Sequence, residues 1–273
     1  MSKVATMKKL DDIRGFILDM DGVLWRGQTF LEGVPEFFSF LRANALPFVL
    51  ATNNSTATPD SVVERLKGAQ VRIDPDEVLT SSLATAAYLD HKFPAGSTIF
   101  VIGEEALRDE LTATGFQLCD SADDAQIVVL GFDRQVNWMK LAQASIAIQS
   151  GAHFIATNPD VSFPIELGQA PGAGAFIEVV RLTTGVEAFA VGKPEPPLYD
   201  LARKRLDLKP GEILAVGDRL ETDILGAQRS GIASSLLLSG VTSRVQAEAS
   251  KIKPDWIFDD LPALTRELAG IRK

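Results

Sequence analysis

Two aspartates stand at the end of a short apolar run, in the segment Asp19-Met20-Asp21-Gly22. Two neighbouring carboxylates suit a nucleophile paired with a general acid and base, because different surroundings can separate their protonation behaviour. Gly22 provides the backbone freedom for a tight turn directly after these two carboxylates. The segment is also compatible with an acidic turn or a helix cap.

Two further segments place polar groups directly after apolar runs. Thr52-Asn53-Asn54-Ser55 offers hydroxyls, amides and backbone N–H groups that suit phosphate oxygens, although simple capping and turn formation use the same residue types. Lys193 stands between Gly192 and Pro194, and the proline restricts the backbone beside it. A lysine fixed there would neutralise the negative charge of carboxylates and phosphate, unless it is an ordinary surface lysine.

A fourth segment, residues 217–223, carries Asp218 at the end of an apolar run and Asp223 one helical turn later. Mg²⁺ prefers oxygen ligands and keeps several waters, so Asp218 is a candidate ligand for this ion. Asp223 would orient a water or the lysine from beside the metal. The alternative is a helix N-cap followed by an acid that the helix dipole favours.

Short continuous apolar runs that end in polar residues are typical of buried parallel strands. Helical patterns lie between these runs, and this alternation predicts an α/β fold with a Rossmann-like parallel sheet, in which ligands bind beyond the carboxyl ends of the strands. The predicted strands are Gly15–Leu18, Leu46–Ala51, Phe189–Val191 and Ile213–Val216. The predicted helices are Pro35–Ala43, Ser61–Lys67, Pro197–Leu206 and Thr222–Ser230.

The middle of the chain has a strand and helix series of its own. We therefore predict a second domain over residues 82–186, inserted into a first domain formed by residues 1–81 and 187–273. Its predicted strands are Thr98–Ile102, Ile127–Leu130 and His153–Ala156, and its predicted helices are Glu104–Thr114, Trp138–Gln149 and Ala173–Thr183.

The composition excludes several classes of protein. The formal charge is -9, from 36 acidic and 27 basic side chains, which argues against a nucleic-acid polymer as the main partner. The single cysteine, Cys119, has no partner for an intramolecular disulfide and no neighbour that suggests reactivity. Neither a signal peptide nor a membrane-spanning run is evident, so we expect a cytoplasmic protein that does not bind membranes.

The four segments, in this order, resemble the haloacid dehalogenase superfamily of phosphohydrolases. They read DMDGVLWRG from Asp19, TNNS from Thr52, VGKPEPPLY from Val191 and GDRLETDI from Gly217. The segments ATNPD and PGAGAF of the middle region look like the cap domain of subfamily IIA, the group of 4-nitrophenylphosphatases and phosphoglycolate phosphatases.

The resemblance implies a magnesium-dependent phosphatase that acts on small phosphorylated metabolites. Asp19 would be the nucleophile and a metal ligand, and Asp21 would be the general acid and base whose carbonyl also binds the metal. Asp218 would complete the protein ligands. Thr52, Asn53, Asn54 and Lys193 would hold the phosphoryl group. A dehalogenase displaces halide, which needs no proton, so Asp21 favours phosphatase chemistry.

The second domain would select the substrate, and Asn158, Asp160, Gly172 and Gly174 are the candidates to line its pocket, although an ordinary loop and helix start would look the same. Trp25 and Arg26 would meet the substrate, or Trp25 would pack against that domain.

Three points stay open in the sequence. The resemblance allows a homodimer formed through the cap. The same intermediate would serve a phosphomutase or phosphotransferase, and a non-catalytic regulator that binds phosphometabolites is a further alternative. The natural substrate is undetermined among phosphoglycolate, nucleoside monophosphates, sugar phosphates and 4-nitrophenyl phosphate.

Overall fold

A computed structural model describes residues 8–165 and 168–272 of the chain. Its strands are β1 Gly15–Leu18, β2 Trp25–Arg26, β3 Thr29–Phe30, β4 Phe48–Thr52, β5 Val78–Thr80, β6 Thr98–Ile102, β7 Gln117–Cys119, β8 Ile127–Leu130, β9 His153–Ala156, β10 Ser162–Ile165, β11 Gly168–Pro171, β12 Phe189–Ala190, β13 Ile213–Gly217, β14 Ala233–Leu237 and β15 Trp256–Phe258. Its α-helices are α1 Val34–Ala43, α2 Pro59–Lys67, α3 Ser81–Lys92, α4 Glu105–Ala113, α5 Trp138–Gln149, α6 Ala173–Thr184, α7 Pro196–Leu206, α8 Leu225–Arg229, α9 Arg244–Ala249 and α10 Leu261–Ile271.

The chain forms two compact units. The first contains the described residues up to Ala51, Val63–Val78 and the described residues from Tyr199 onward. The second contains Thr52–Val62 and Leu79–Leu198. The second unit thus includes residues 82–186, which the sequence predicts as an inserted domain, together with flanking residues on both sides; the boundaries at 82 and 186 stay a prediction.

A six-stranded sheet in the order β15-β14-β13-β1-β4-β5 carries the first unit. The strands from β15 to β4 run parallel, with Leu18 opposite Val216 on one side and Leu50 on the other. Every residue of β1, β4 and β13 is buried, which explains why these strands read as continuous apolar runs. The register brings the ends of β1 and β13 side by side, directly before Asp19 and Asp218.

The second unit has a five-stranded parallel sheet in the order β12-β9-β8-β6-β7. Its apolar core includes Val128 and Leu130 of β8, Ile148 of α5 and Val180 of α6. The short antiparallel pair β10 and β11 precedes α6. Both units therefore confirm the predicted α/β class with parallel sheets.

The predicted helix Thr222–Ser230 differs in form. The chain first makes a wide π-type turn over Leu220–Ile224 and becomes α-helical only at Leu225. The N–H of Ile224 donates to the carbonyl of Arg219, five residues back, at 3.2 Å. Such wide turns are frequent at functional sites.

Among the described residues, no helix combines the length and the apolar character that crossing a membrane requires.

Candidate functional site

Three aspartates of the first unit form one acidic cluster. One carboxylate oxygen from each of Asp19, Asp218 and Asp223 lies within 4.8 Å of the other two. Asp19 directly follows β1 and Asp218 directly follows β13, and these strands are neighbours. An all-oxygen donor set of this kind fits a hard divalent cation such as Mg²⁺.

Glycines make room for the Asp218 carboxylate. A Cβ on Gly22 would lie 2.2 Å from Oδ2 of Asp218, and a Cβ on Gly240 would lie 2.0 Å from the same atom. Gly22 also has φ +84°, in the left-handed region that favours glycine. The N–H of Val241 donates to this oxygen at 2.7 Å. The carboxylate is thus held by the turn after Asp21 and by the loop after β14.

Asp223 supports the backbone on which Asp218 sits. Its Oδ2 accepts hydrogen bonds from the N–H groups of Asp218, at 3.3 Å, and Arg219, at 3.0 Å. Asp223 is almost fully buried, and the hydroxyl of Tyr199 donates to its carbonyl at 2.8 Å. A Cβ on Gly217 would lie 2.2 Å from the Cβ of Asp223, so only glycine fits there without a shift. The wide turn after Asp218 folds the side chain of Asp223 back onto these amides.

Asp21 is exposed as a residue and is tied to Trp25. The indole N–H of Trp25 donates to Oδ1 of Asp21 at 2.9 Å. Arg65 lies over the Trp25 ring, with its guanidinium carbon 3.9 Å from the ring centroid. Burial lowers the pKa of the Arg65 guanidinium from its ordinary value, and the Asp21 carboxylate opposes that effect.

Arg26 and Ser239 connect the turn after Asp21 to the loop after β14. The Arg26 guanidinium donates to the carbonyl of Ser239, and the Ser239 hydroxyl donates to the carbonyl of Gly22 at 2.9 Å. The prediction that Arg26 meets the substrate stays a prediction.

In the second unit, Asn53 and Lys193 are joined through two hydrogen bonds. The N–H of Lys193 donates to Oδ1 of Asn53 at 2.7 Å, and Nδ2 of Asn53 donates to the carbonyl of Lys193 at 2.8 Å. A Cβ on Gly192 would lie 2.6 Å from Oδ1 of Asn53. Lys193 is only 3% exposed, which excludes the reading as an ordinary surface lysine.

Asn158 and Asp160 belong to the same cluster. Nδ2 of Asn53 also donates to Oδ2 of Asp160 at 3.1 Å. Asn158 is buried, and its Nδ2 donates to the carbonyl of Asn53 at 2.8 Å, while its Oδ1 accepts from the N–H of Asp160 at 3.1 Å. The described contacts of Asn158 are thus hydrogen bonds that hold the loops around Asn53; that it lines a substrate pocket stays a prediction.

Gly172 and Gly174 let the start of α6 approach the loop before β10. A Cβ on Gly172 would lie 2.3 Å from the carbonyl oxygen of Asp160, and a Cβ on Gly174 would lie 2.3 Å from that of Pro159. The N–H of Gly174 donates to the carbonyl of Asp160 at 2.9 Å. The close approach that these glycines permit is therefore between two parts of the backbone.

Thr52 and Asn54 form local turns. Oγ1 of the buried Thr52 accepts from the N–H of Asn54 at 3.0 Å, and Oδ1 of Asn54 accepts from the N–H of Thr56 at 2.9 Å. These contacts are the turn chemistry that asparagine and threonine favour, and they fix the path of the chain after β4.

Comparisons with known proteins identify the family of this chain. Residues 16–117 match the family of haloacid dehalogenase-like hydrolases, and residues 190–264 match a HAD-hydrolase-like family. An acid sugar phosphatase of Staphylococcus epidermidis is 36% identical over 93% of this chain and 98% of its own length. The chain belongs to the haloacid dehalogenase-like hydrolases.

Solved structures of this hydrolase family are similar over almost the whole chain. A 4-nitrophenylphosphatase from Thermotoga maritima superposes with a TM-score of 0.88 at 33% identity, over 94% of this chain and 98% of that one. A glycerol phosphate phosphatase from Mycobacterium tuberculosis, solved in complex with magnesium, gives a TM-score of 0.87 at 31% identity, over 96% of this chain and 80% of that one. The present hydrolase is accordingly a phosphatase.

Two contacts at the site of this hydrolase are not predicted from the sequence. The loop after β14 supplies Val241 and Gly240 against Asp218, and the indole of Trp25 bonds Asp21. A signal for the first existed, because the apolar run Leu236–Leu238 also ends in small polar residues. The end of β14 lies at the same edge of the sheet as the ends of β1 and β13.

Proposed function

We propose that this hydrolase is a magnesium-dependent phosphomonoesterase that transfers the phosphoryl group of a small organic phosphate to Asp19 and then to water. The observation that carries the proposal is the acidic cluster of Asp19, Asp218 and Asp223, whose oxygens lie within 4.8 Å of one another. Asp19 and Asp218 would hold the cation with the carbonyl of Asp21. Bound there, Mg²⁺ would neutralise phosphate charge and orient it for in-line attack.

In the proposed reaction, Asp19 is the nucleophile and Asp21 is the general acid and base. A carboxylate oxygen of Asp19 attacks phosphorus, and the bond to the leaving oxygen breaks. Asp21 gives that oxygen a proton. Asp21 then takes a proton from the water that attacks the aspartyl phosphate, which releases inorganic phosphate and restores both carboxyl groups.

Thr52, Asn53, Asn54 and Lys193 are proposed to bind the phosphoryl oxygens, because hydroxyl, amide, backbone N–H and ammonium groups are suitable donors to them. Asp223 is proposed to act indirectly, since its carboxylate bonds the backbone amide of Asp218. For substrate choice, Asn158, Asp160, Gly172 and Gly174 remain the candidates.

The named relatives support small organic phosphates as the substrate class. They are phosphatases of sugar phosphates, glycerol phosphate and 4-nitrophenyl phosphate. We propose that this chain accepts esters of this size.

The test measures inorganic phosphate released from 4-nitrophenyl phosphate, glycerol phosphate and hexose phosphates, with Mg²⁺ and after its removal by a chelator. We expect release only with the divalent ion, and none from Asp19→Asn. The control is Asp259→Asn, which removes an exposed carboxylate paired with Arg244 at 2.8 Å. Acid-quenched Asp21→Asn protein should carry phosphate that hydroxylamine removes. Full activity of Asp19→Asn would refute the proposal.

A phosphomutase or phosphotransferase would move the phosphoryl group to a second organic acceptor. Equal molar yields of inorganic phosphate and alcohol, without a new phosphate ester, would separate hydrolysis from transfer.

A further inference from the structure

The indole N–H of Trp25 has its hydrogen-bond partner in Oδ1 of Asp21, at 2.9 Å. An indole nitrogen donates and never accepts. The oxygen that it contacts must therefore act as an acceptor, whether the carboxyl group of Asp21 is ionised or protonated. A protonated carboxyl group has one O–H donor, and with Oδ1 occupied this proton belongs on Oδ2.

We propose that Trp25 is a positioning residue for Asp21: it holds Oδ1 and leaves Oδ2 as the atom that exchanges protons with substrate and water. The inference rests on the proposed function, in which Asp21 is the general acid and base. Trp25 itself touches no reacting atom in this scheme.

The surroundings of Trp25 fix the direction of its N–H. The residue is 3% exposed, and its ring meets Phe30 edge-on with centroids 6.0 Å apart. The Arg65 guanidinium covers the ring at 3.9 Å and also donates to the carbonyl of Gly27. A ring packed in this way has little freedom to turn, so the hydrogen bond constrains the more exposed partner, Asp21.

Backbone hydrogen bonds also join the turn after Asp19 to Trp25. The N–H of Gly22 donates to the carbonyl of Trp25 at 2.7 Å, and the N–H of Leu24 donates to the carbonyl of Met20 at 2.8 Å. The turn after Asp19 is thus closed on Trp25 through main chain and side chain together. A general acid needs its donor atom within hydrogen-bond reach of the leaving oxygen, and this closure fixes the carboxyl group against rotation.

The two proton transfers then use one atom. In the first step the bond from Asp19 to phosphorus forms, the bond to the leaving oxygen breaks, and the proton on Oδ2 moves to that oxygen. In the second step water attacks phosphorus, its proton moves to Oδ2, and the bond to Asp19 breaks. The alternative is that Asp21 only satisfies a buried N–H that would otherwise lack a partner.

The experiment compares Trp25→Phe with wild type on two leaving groups. Phenylalanine keeps a ring between Phe30 and Arg65 and removes the N–H. The 4-nitrophenolate anion leaves without a proton, whereas the alkoxide of glycerol phosphate or a hexose phosphate requires one; the alkyl ester that the wild type hydrolyses faster is used. The quantity is kcat/KM, because it includes the steps through the departure of the leaving group and omits the later hydrolysis that both substrates share.

We expect kcat/KM of Trp25→Phe to fall about tenfold on the alkyl ester and to stay within about twofold on 4-nitrophenyl phosphate, since general acid catalysis contributes about 10²–10⁴-fold and a displaced acid keeps part of it. Asp21→Asn is measured alongside and should show the same selectivity more strongly. Trp138→Phe, which changes an exposed tryptophan at the start of α5, should match wild type on both substrates.

Equal losses on both substrates, or no loss on either, would overturn the inference. If Asp21→Asn loses kcat/KM mainly on the alkyl ester and Trp25→Phe does not, the role of Trp25 is refuted, whereas the proposed function of Asp21 is not. Absence of selectivity in Asp21→Asn would instead count against the proposed acid. If Trp25→Phe does not fold, replacing Trp25 with 3-benzothienylalanine keeps the ring shape, exchanges N–H for sulfur, and must give the same selective loss.

Discussion

The side chain of Asn53 makes two hydrogen bonds to the backbone of Lys193. Its Oδ1 accepts from the N–H of Lys193 at 2.7 Å, and its Nδ2 donates to the carbonyl of Lys193 at 2.8 Å. A primary amide matches the donor and acceptor of one residue in this way without using the lysine side chain. Asn53 therefore holds the backbone of Lys193 in place, in addition to any contact that the Asn53 side chain makes with phosphate.

We expect Asn53→Ala to lower the free energy of unfolding by about 1–3 kcal/mol, because the backbone N–H and carbonyl of the buried Lys193 lose their hydrogen bonds to Asn53. Activity should fall as well, since Lys193 is no longer held in one place. Urea unfolding and steady-state kinetics measure the two effects. Asn44→Ala is the matched control, because Asn44 is exposed and its side chain donates to the carbonyl of Phe40 at 2.8 Å. If the free energy of unfolding of Asn53→Ala is no lower than that of Asn44→Ala, the hydrogen bonds between Asn53 and Lys193 do not contribute to stability.

We expect Asp223 to affect Mg²⁺ affinity indirectly, by holding the backbone of Asp218. Asp223→Ala removes the acceptor of the Asp218 and Arg219 amides, so the loop that carries Asp218 should loosen and Mg²⁺ affinity should fall about 10–100-fold. Asp223→Asn retains an oxygen acceptor and should lose less. Activity measured against Mg²⁺ concentration gives the affinity. If saturating Mg²⁺ fails to restore any activity to Asp223→Ala, the residue has a role beyond holding this loop.

The sequence predicts most of the strands closely. Gly15–Leu18, Thr98–Ile102, Ile127–Leu130 and His153–Ala156 have the predicted bounds, because each contains a continuous run of buried apolar residues. Strand β4 begins two residues later and ends one residue later than predicted, and β13 ends one residue later. Helix Ser81–Lys92 is not predicted from the sequence. Its buried face carries hydroxyls, and those of Ser81 and Ser82 donate to carbonyls of the chain after β4. Such a face shows no apolar periodicity.

The same limit applies to the site. Strand-end reasoning places Asp19 beside Asp218, because the carboxyl ends of neighbouring parallel strands share one edge of the sheet. It does not reveal that Val241 bonds Asp218 or that Trp25 bonds Asp21. Those contacts depend on the paths of irregular loops, for which hydrophobic periodicity carries no signal.

Cys119 is expected to be a slow nucleophile. Burial and the nearby Asp124 and Asp120 carboxylates raise the pKa of its thiol above the ordinary value of 9.0. The thiolate is the reactive form, so alkylation by iodoacetamide at neutral pH should be slower than that of a free cysteine and should accelerate in urea. The folded state holds the proton more tightly, so this contribution to stability is present below pH 9.0 and is lost at higher pH. With one cysteine in the chain, mass spectrometry reads the rate directly. Rapid alkylation of the folded protein at neutral pH would contradict the prediction.

Gly240 offers the sharpest steric test of the acidic cluster. A Cβ at this position would lie 2.0 Å from Oδ2 and 2.3 Å from Cβ of Asp218, so Gly240→Ala must displace either the loop after β14 or the carboxylate. We expect about a hundredfold loss of kcat/KM, because displacing a group of the site by about 1 Å costs that much, together with weaker Mg²⁺ activation. Gly270→Ala is the control: nothing lies within 4 Å of its added Cβ, and alanine favours the α10 helix that contains it. Wild-type activity and Mg²⁺ dependence in Gly240→Ala would contradict the prediction, because they would show that neither depends on the position of the Asp218 carboxylate.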